Sequence, residues 1–150
     1  MAQDGQLGDI QDITGMTYEQ LRRALEPIPD DQMTHKAADL ATTPAEIAIH
    51  ACSADLHYSN VIDGGSRRVP IAAEDEPSRD ALLRLIDDTE HSVRDLLAGL
   101  DDAALDGQRQ VWRHRGPATV RFVLLHMLRH KHYHTGQLNY IHFLLGIDER

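Results

Sequence analysis

The stretch VLLHMLRHKHYHTGQLNYIHFLL, residues 123–145, decides the fold. Residues four apart on a helix are offset by about 40° around the axis and about 6 Å along it, so His126, His130 and His134 share one face. Val123, Met127, Leu138, Ile141, Leu144 and Leu145 fall on the same stripe, whereas Arg129, Lys131, His132 and Asn139 fall mostly away from it. The pattern predicts an amphipathic helix that points imidazoles into a core. A buried neutral imidazole needs partners for both ring nitrogens, and one metal ion can satisfy two such rings together. The i,i+4 histidine pair is a spacing that helical zinc sites use, although hydrogen-bonded or surface histidines produce it too.

Working outward, three more helices can be read. Gly116-Pro117 is expected to open the histidine-rich helix and Gly146 to close it. Thr43-Pro44-Ala45-Glu46 combines an N-cap threonine, a proline at the first helical position and a glutamate at the third, so a helix should run from there to about Ile62, stopped by Gly64-Gly65. On it Ile47, His50, Ala54, His57 and Val61 share one face. Ser78 caps a helix whose stripe of Ala81, Leu82, Leu85, Ile86, Val93, Leu96 and Leu97 ends at Gly99, with Asp87, Asp88, Glu90, Arg94 and Asp95 read as its solvated face. Thr17-Tyr18-Glu19-Gln20 has capping-box spacing, predicting a first helix to about Leu25, and Gly15 weighs against extending it backwards. Residues 1–16 are therefore expected to be a flexible N-terminal arm and residues 17–150 the folded domain. Residues 63–77 read as a long loop, and Trp112 as a plug at one end of the bundle. No period-two run with hairpin punctuation occurs, so the fold class is all-α, a four-helix bundle with crossover connections.

Composition narrows the function classes. A formal net charge of −9 supplies no basic excess, which argues against broad contact with nucleic acid or anionic membrane surfaces. No signal-like N-terminus and no long apolar run is present, so a cytoplasmic location is expected. The single cysteine, Cys52, excludes an internal disulfide or a cysteine metal cluster within one chain. Ten histidines are the oddity.

If the second and fourth helices are neighbours, His50 meets His130 and His134, giving three neutral nitrogen ligands and leaving a position open for water or substrate. His57 lies about 10.5 Å further along its helix, too far to join the same ion. It is either a candidate proton acceptor or a part-exposed histidine at the mouth of the bundle. His126 is read as hydrogen-bonded rather than ligating, and Gln137 as a group that could orient a ligand ring or substrate, or simply bond to a neighbouring helix.

The motifs TPAEIAIH, ending at His50, and His126-x-x-x-His130-x-x-x-His134-Thr-Gly-Gln137, with the closing Leu-Leu-Gly146, resemble the DinB/YfiT-like superfamily over roughly residues 17–147. The resemblance implies a bundle with unusual crossover connectivity, often dimeric, holding a divalent ion such as Zn²⁺ or Ni²⁺ on His50, His130 and His134. Relatives with assigned roles include metal-dependent transferases acting with low-molecular-weight bacterial thiols, a thiol-dependent isomerase and metallohydrolases. The leading expectation is a metal-dependent enzyme that joins a small thiol to an electrophile, with His57 and Gln137 as catalytic candidates, a small-molecule substrate and a homodimeric state. A hydrolase of a small substrate and a non-catalytic metal-stabilised binding module are the alternatives. An all-imidazole site also suits Fe²⁺ or Cu²⁺.

Overall fold

Helix boundaries follow the groups that satisfy free backbone amides at helix starts. The structure, a computed structural model, describes residues 5–71 and 75–147, with four long helices: α1 (Gln6–Leu25), α2 (Pro44–Asp63), α3 (Arg79–Ala98) and α4 (Val120–Leu145). At α2 the capping box is complete: Thr43 Oγ1 accepts from the Glu46 amide at 3.1 Å and Glu46 Oε2 accepts from the Thr43 amide at 2.8 Å. Ser78 Oγ accepts from the Ala81 amide at 3.1 Å and starts α3. Gly64 and Gly146 close α2 and α4 with φ of 76° and 68°, the left-handed region where a side chain would be strained.

Two boundaries differ from the sequence reading. The arm expected over residues 1–16 is helix from Gln6 onward, and Thr17 is no cap: it is buried and its hydroxyl donates to the Thr14 carbonyl at 2.9 Å. Helix α1 starts where it does because Asp102, far along the chain, accepts from the Leu7 amide at 3.0 Å. The cost of Gly15 within the helix, about 1 kcal/mol, is outweighed by the burial of Leu7, Ile10, Thr14 and Tyr18 on one face. Helix α4 begins at Val120, capped by Thr119, because Ala118–Thr119 first pair antiparallel with Gln108–Arg109 in a two-residue hairpin that the sequence reading did not contain.

The principal helix contacts are α1 with α3 and α4, and α2 with α3 and α4. The diagonal pairs, α1/α2 and α3/α4, are the ones joined by connections across the bundle ends. Specific pairs fix the directions: Ala24 meets His142, Gln11 meets Leu97, and Tyr58 meets His126. Thus α1 and α4 run one way, α2 and α3 the other, and the loop after Asp63 must return along the bundle to start α3. Asn60 anchors that loop by bonding both the amide and the carbonyl of Arg67 at 2.9 Å. Trp112 lies outside the main core and packs edge-on against Phe122 and His126, at 5.9 and 5.4 Å between ring centroids. Of the charged face expected on α3, Glu90 is instead buried and paired with Arg22 and Arg94. No helix among the described residues is long and apolar enough to cross a membrane.

Candidate metal centre

Helices α2 and α4 pack antiparallel, which brings His50 opposite His134 and His130. The three rings form one cluster, with centroids 5.1 Å (His50–His130), 4.8 Å (His50–His134) and 4.4 Å (His130–His134) apart. Each offers a ring nitrogen, and these atoms all lie within 4.8 Å of one another. Nε2 of His130 and Nε2 of His134 face each other at 3.1 Å. Two nitrogens on one zinc at about 2.0–2.1 Å in tetrahedral array stand about 3.4 Å apart, so this donor pair has the spacing a single ion requires.

The cluster sits at the edge of the core rather than inside it. His134 is buried, His130 half-buried and His50 exposed. The buried face of α2 is Ala48, Cys52, Asp55, Ser59 and Ile62, which leaves the His50 face toward the rim. On α4 the expected stripe is likewise rotated: Lys131, read as outward-facing, is 1% exposed and Leu144 is 39% exposed. An ion held by these three rings would therefore have core on one side and solvent on the other, an arrangement open to an incoming ligand.

Protonation favours coordination. Burial, with His134 and His50 close by, pushes the His130 pKa down to about 4, and burial lowers that of His134 as well. Both rings are neutral at pH 7. Gln137 Oε1 can only accept, so His134 donates its Nδ1–H to it at 2.6 Å and leaves the Nε2 lone pair aimed into the cluster. The ring of Tyr133 packs edge-on against His134 at 5.2 Å.

The other histidines are placed differently. His126 is held by Tyr58 at 3.1 Å through Nε2 and accepts from Arg129 at 3.4 Å through Nδ1, and its ring stacks 6.2 Å from His130. His57 is exposed, packs edge-on against Tyr58 at 5.4 Å and lines a separate cavity of about 430 Å³ with Asn60, Arg67 and Arg68, outside the three-histidine cluster. Arg67 is tied to Asp63 by two bonds of 2.8 and 2.6 Å, whereas Arg68 is exposed. His142 is buried and donates from Nε2 to the Ala24 carbonyl at 2.5 Å. A larger groove of about 1020 Å³, bounded by Ala24, Leu40, Ile47, Tyr133, Tyr140 and Leu144, is lined also by Gln137, the partner of His134, but by none of the three clustered histidines.

Sequence reasoning missed the polar group behind the cluster. Lys131 pairs with Asp55, Tyr18 donates its hydroxyl to the same Asp55 oxygen at 2.5 Å, and the Lys131 ammonium lies 3.6 Å over the Tyr18 ring. All three side chains are buried. Asp55 stands on the inward face one helical turn and one residue beyond His50, and Lys131 follows His130, so the only available signal was a pair of opposite charges inside two otherwise apolar stripes.

Residues 14–138 match the model of the DinB superfamily. No match is found among curated proteins. Among solved structures, the chain is similar to a DinB-like protein from Bacillus subtilis, at 20% identity and a TM-score of 0.75 with 94% of each chain covered. It is similar to another from Bacillus cereus ATCC 10987, at 16% identity and a TM-score of 0.73, covering 97% of this chain and 95% of that one. A mycothiol-dependent maleylpyruvate isomerase shares the fold at 13% identity and a TM-score of 0.69, with 92% of this chain spanning 62% of that protein. With the match extending over most of its length, on a bundle whose helices meet at three converging histidines, the chain belongs to the DinB superfamily.

Proposed function

We propose that this protein is a cytoplasmic, divalent-metal-dependent enzyme that joins a low-molecular-weight thiol to an electrophilic small molecule, with the ion on His50, His130 and His134. The carrying observation is the donor set: three imidazoles converge with no carboxylate among them. Bound there, a divalent ion, Zn²⁺ or Ni²⁺ foremost and Fe²⁺ also compatible, keeps its full charge and favours the thiolate form of a thiol that reaches it. Such a nucleophile needs no strong base, and neither nearby carboxylate is free to be one. Glu46 caps α2, and Asp55 is engaged by Tyr18 and Lys131.

The sulfur must come from outside the chain. Burial pushes the Cys52 thiol up to about 12, so it stays protonated and inert. Gln137 fixes the ring of His134, and His57 is the side chain we assign to proton transfer at the solvent side. The apolar groove beside Gln137 is the seat we assign to the electrophile. The fold shared with an isomerase that depends on mycothiol supports a small thiol as co-substrate. A homodimer belongs to the same reading, supported by the exposed Tyr133, Tyr140, Phe143 and Leu144 along α4, and sedimentation measures it directly.

The test begins with elemental mass spectrometry of freshly purified, untagged wild type and His134→Ala. Near-stoichiometric metal that the variant lacks is expected, followed by turnover of an electrophile panel that requires both metal and thiol. Cleavage that needs water but no thiol would identify a hydrolase instead. Full metal occupancy with no turnover would identify a binding module, and a wild type that cannot be loaded would overturn the site.

A further inference from the structure

We propose that Asp55 is a positioning residue for the three-histidine site, its Oδ1 joined to the Nδ1–H of His130 by one buried water. The inference rests on the metal reading of His50, His130 and His134. Among the described residues, three buried side-chain polar atoms have no hydrogen-bond partner: Asp55 Oδ1, Arg121 Nε and His130 Nδ1. Arg121 is a donor at the start of α4, about 13 Å along the helix from His130, where it pairs with Asp106 at 3.0 Å. The remaining two atoms are complementary. A ring that presents the Nε2 lone pair toward His134 and an ion carries its proton on Nδ1, so His130 supplies a buried donor, and Asp55 Oδ1 is a buried acceptor.

The two atoms belong to the same layer of the same helix pair. Lys131, the residue after His130, bonds to the other carboxylate oxygen, and Tyr18 donates to that oxygen as well, so the rotation of the carboxylate is fixed and Oδ1 is the free arm. A direct bond is not made, and a bridging water with two polar partners is the usual way such a gap is filled. Through it Asp55 would do for His130 what Gln137 does for His134: hold Nδ1–H, set the tautomer and keep Nε2 on the ion.

The test replaces the polar trio by apolar groups of similar size, Tyr18→Phe with Asp55→Leu and Lys131→Met, a change that leaves the net charge as it was. Zinc affinity is measured by competition with a chromogenic chelator, beside thermal unfolding of the metal-free proteins. The triple variant is expected to fold with a melting temperature near that of wild type and to bind zinc about 10–100-fold more weakly. Zinc affinity within threefold of wild type in a folded triple variant overturns the proposal while leaving the metal site standing. A wild type that binds no zinc overturns both. Loss of zinc-dependent turnover alone touches only the proposed reaction. A crystal structure of zinc-loaded wild type decides independently of any variant: a water bonded to both Asp55 Oδ1 and His130 Nδ1 supports the link, and a dry gap or another partner on Nδ1 refutes it.

Discussion

Lys131→Met is the substitution that weighs most on the fold. The ammonium is 1% exposed and its partner Asp55 is 0% exposed, so removing the cation strands a carboxylate away from bulk solvent. Of its two side-chain partners in the trio, only the Tyr18 hydroxyl, at 2.5 Å, would remain on it. Breaking a buried pair in this way costs about 3–5 kcal/mol, against total stabilities of about 5–15 kcal/mol for domains of ordinary size. At roughly 2–4 °C per kcal/mol for a chain of this length, the melting temperature should fall by about 6–20 °C. Asp55→Leu together with Lys131→Met removes both charges and should restore stability to within about 2 kcal/mol of wild type. Urea unfolding followed by circular dichroism at pH 7, with chelator present so that metal binding does not contribute, reads all three proteins on one scale. A Lys131→Met loss below about 1 kcal/mol, or a double variant no more stable than the single, would refute the reasoning.

Gln137→Leu removes the acceptor on His134 Nδ1 without touching a ligand and should weaken zinc binding about tenfold or more, read by chelator competition. Cys52, 1% exposed with its thiol held up near pH 12, should resist an aromatic disulfide reagent in the native protein and react at once in denaturant. For metal-free protein, His130 binds its proton near pH 4 when folded and near 6.5 when unfolded. The unfolded chain is therefore the better proton binder between those values, and the contribution, full above pH 6.5, is lost as the pH falls toward 4. After discounting for the ring's partial exposure it amounts to about 1.5 kcal/mol, measurable as the change in urea midpoint over that window. Thr43→Ala opens the capping box of α2 and should cost about 1–2 kcal/mol in the same assay.

The extent to which the site was legible reflects the range of the interactions that build it. The i,i+4 spacing of His130 and His134 is a property of one helix, and Gln137 lies within a turn of them, so that half of the cluster could be read from residue positions. Where His50 sits was conditional on α2 and α4 being neighbours, which the packing meets. His57 shares a helix face with His50 yet lines a different cavity, because two helical turns carry it past the cluster to the level of Asn60 and Arg67.

What the sequence by itself determined is what local groups enforce. Thr43 with Glu46, Ser78, Gly64 and Gly146 satisfy or release backbone within a few residues of themselves, so the starts of α2 and α3 and the ends of α2 and α4 stand where the residues put them. Tertiary structure decided the rest. Helix α1 begins at Gln6 because Asp102, about 95 residues further along the chain, lies at the same end of the bundle and caps it, and no local pattern records that acceptor. Lys131 is buried because Asp55 and Tyr18, from two other helices, together compensate the desolvation of its charge, reversing what its own polarity says. The same rotation of α4 that takes Lys131 inward turns His130 and His134 to the rim, and it makes the cluster a site open to solvent rather than part of the core.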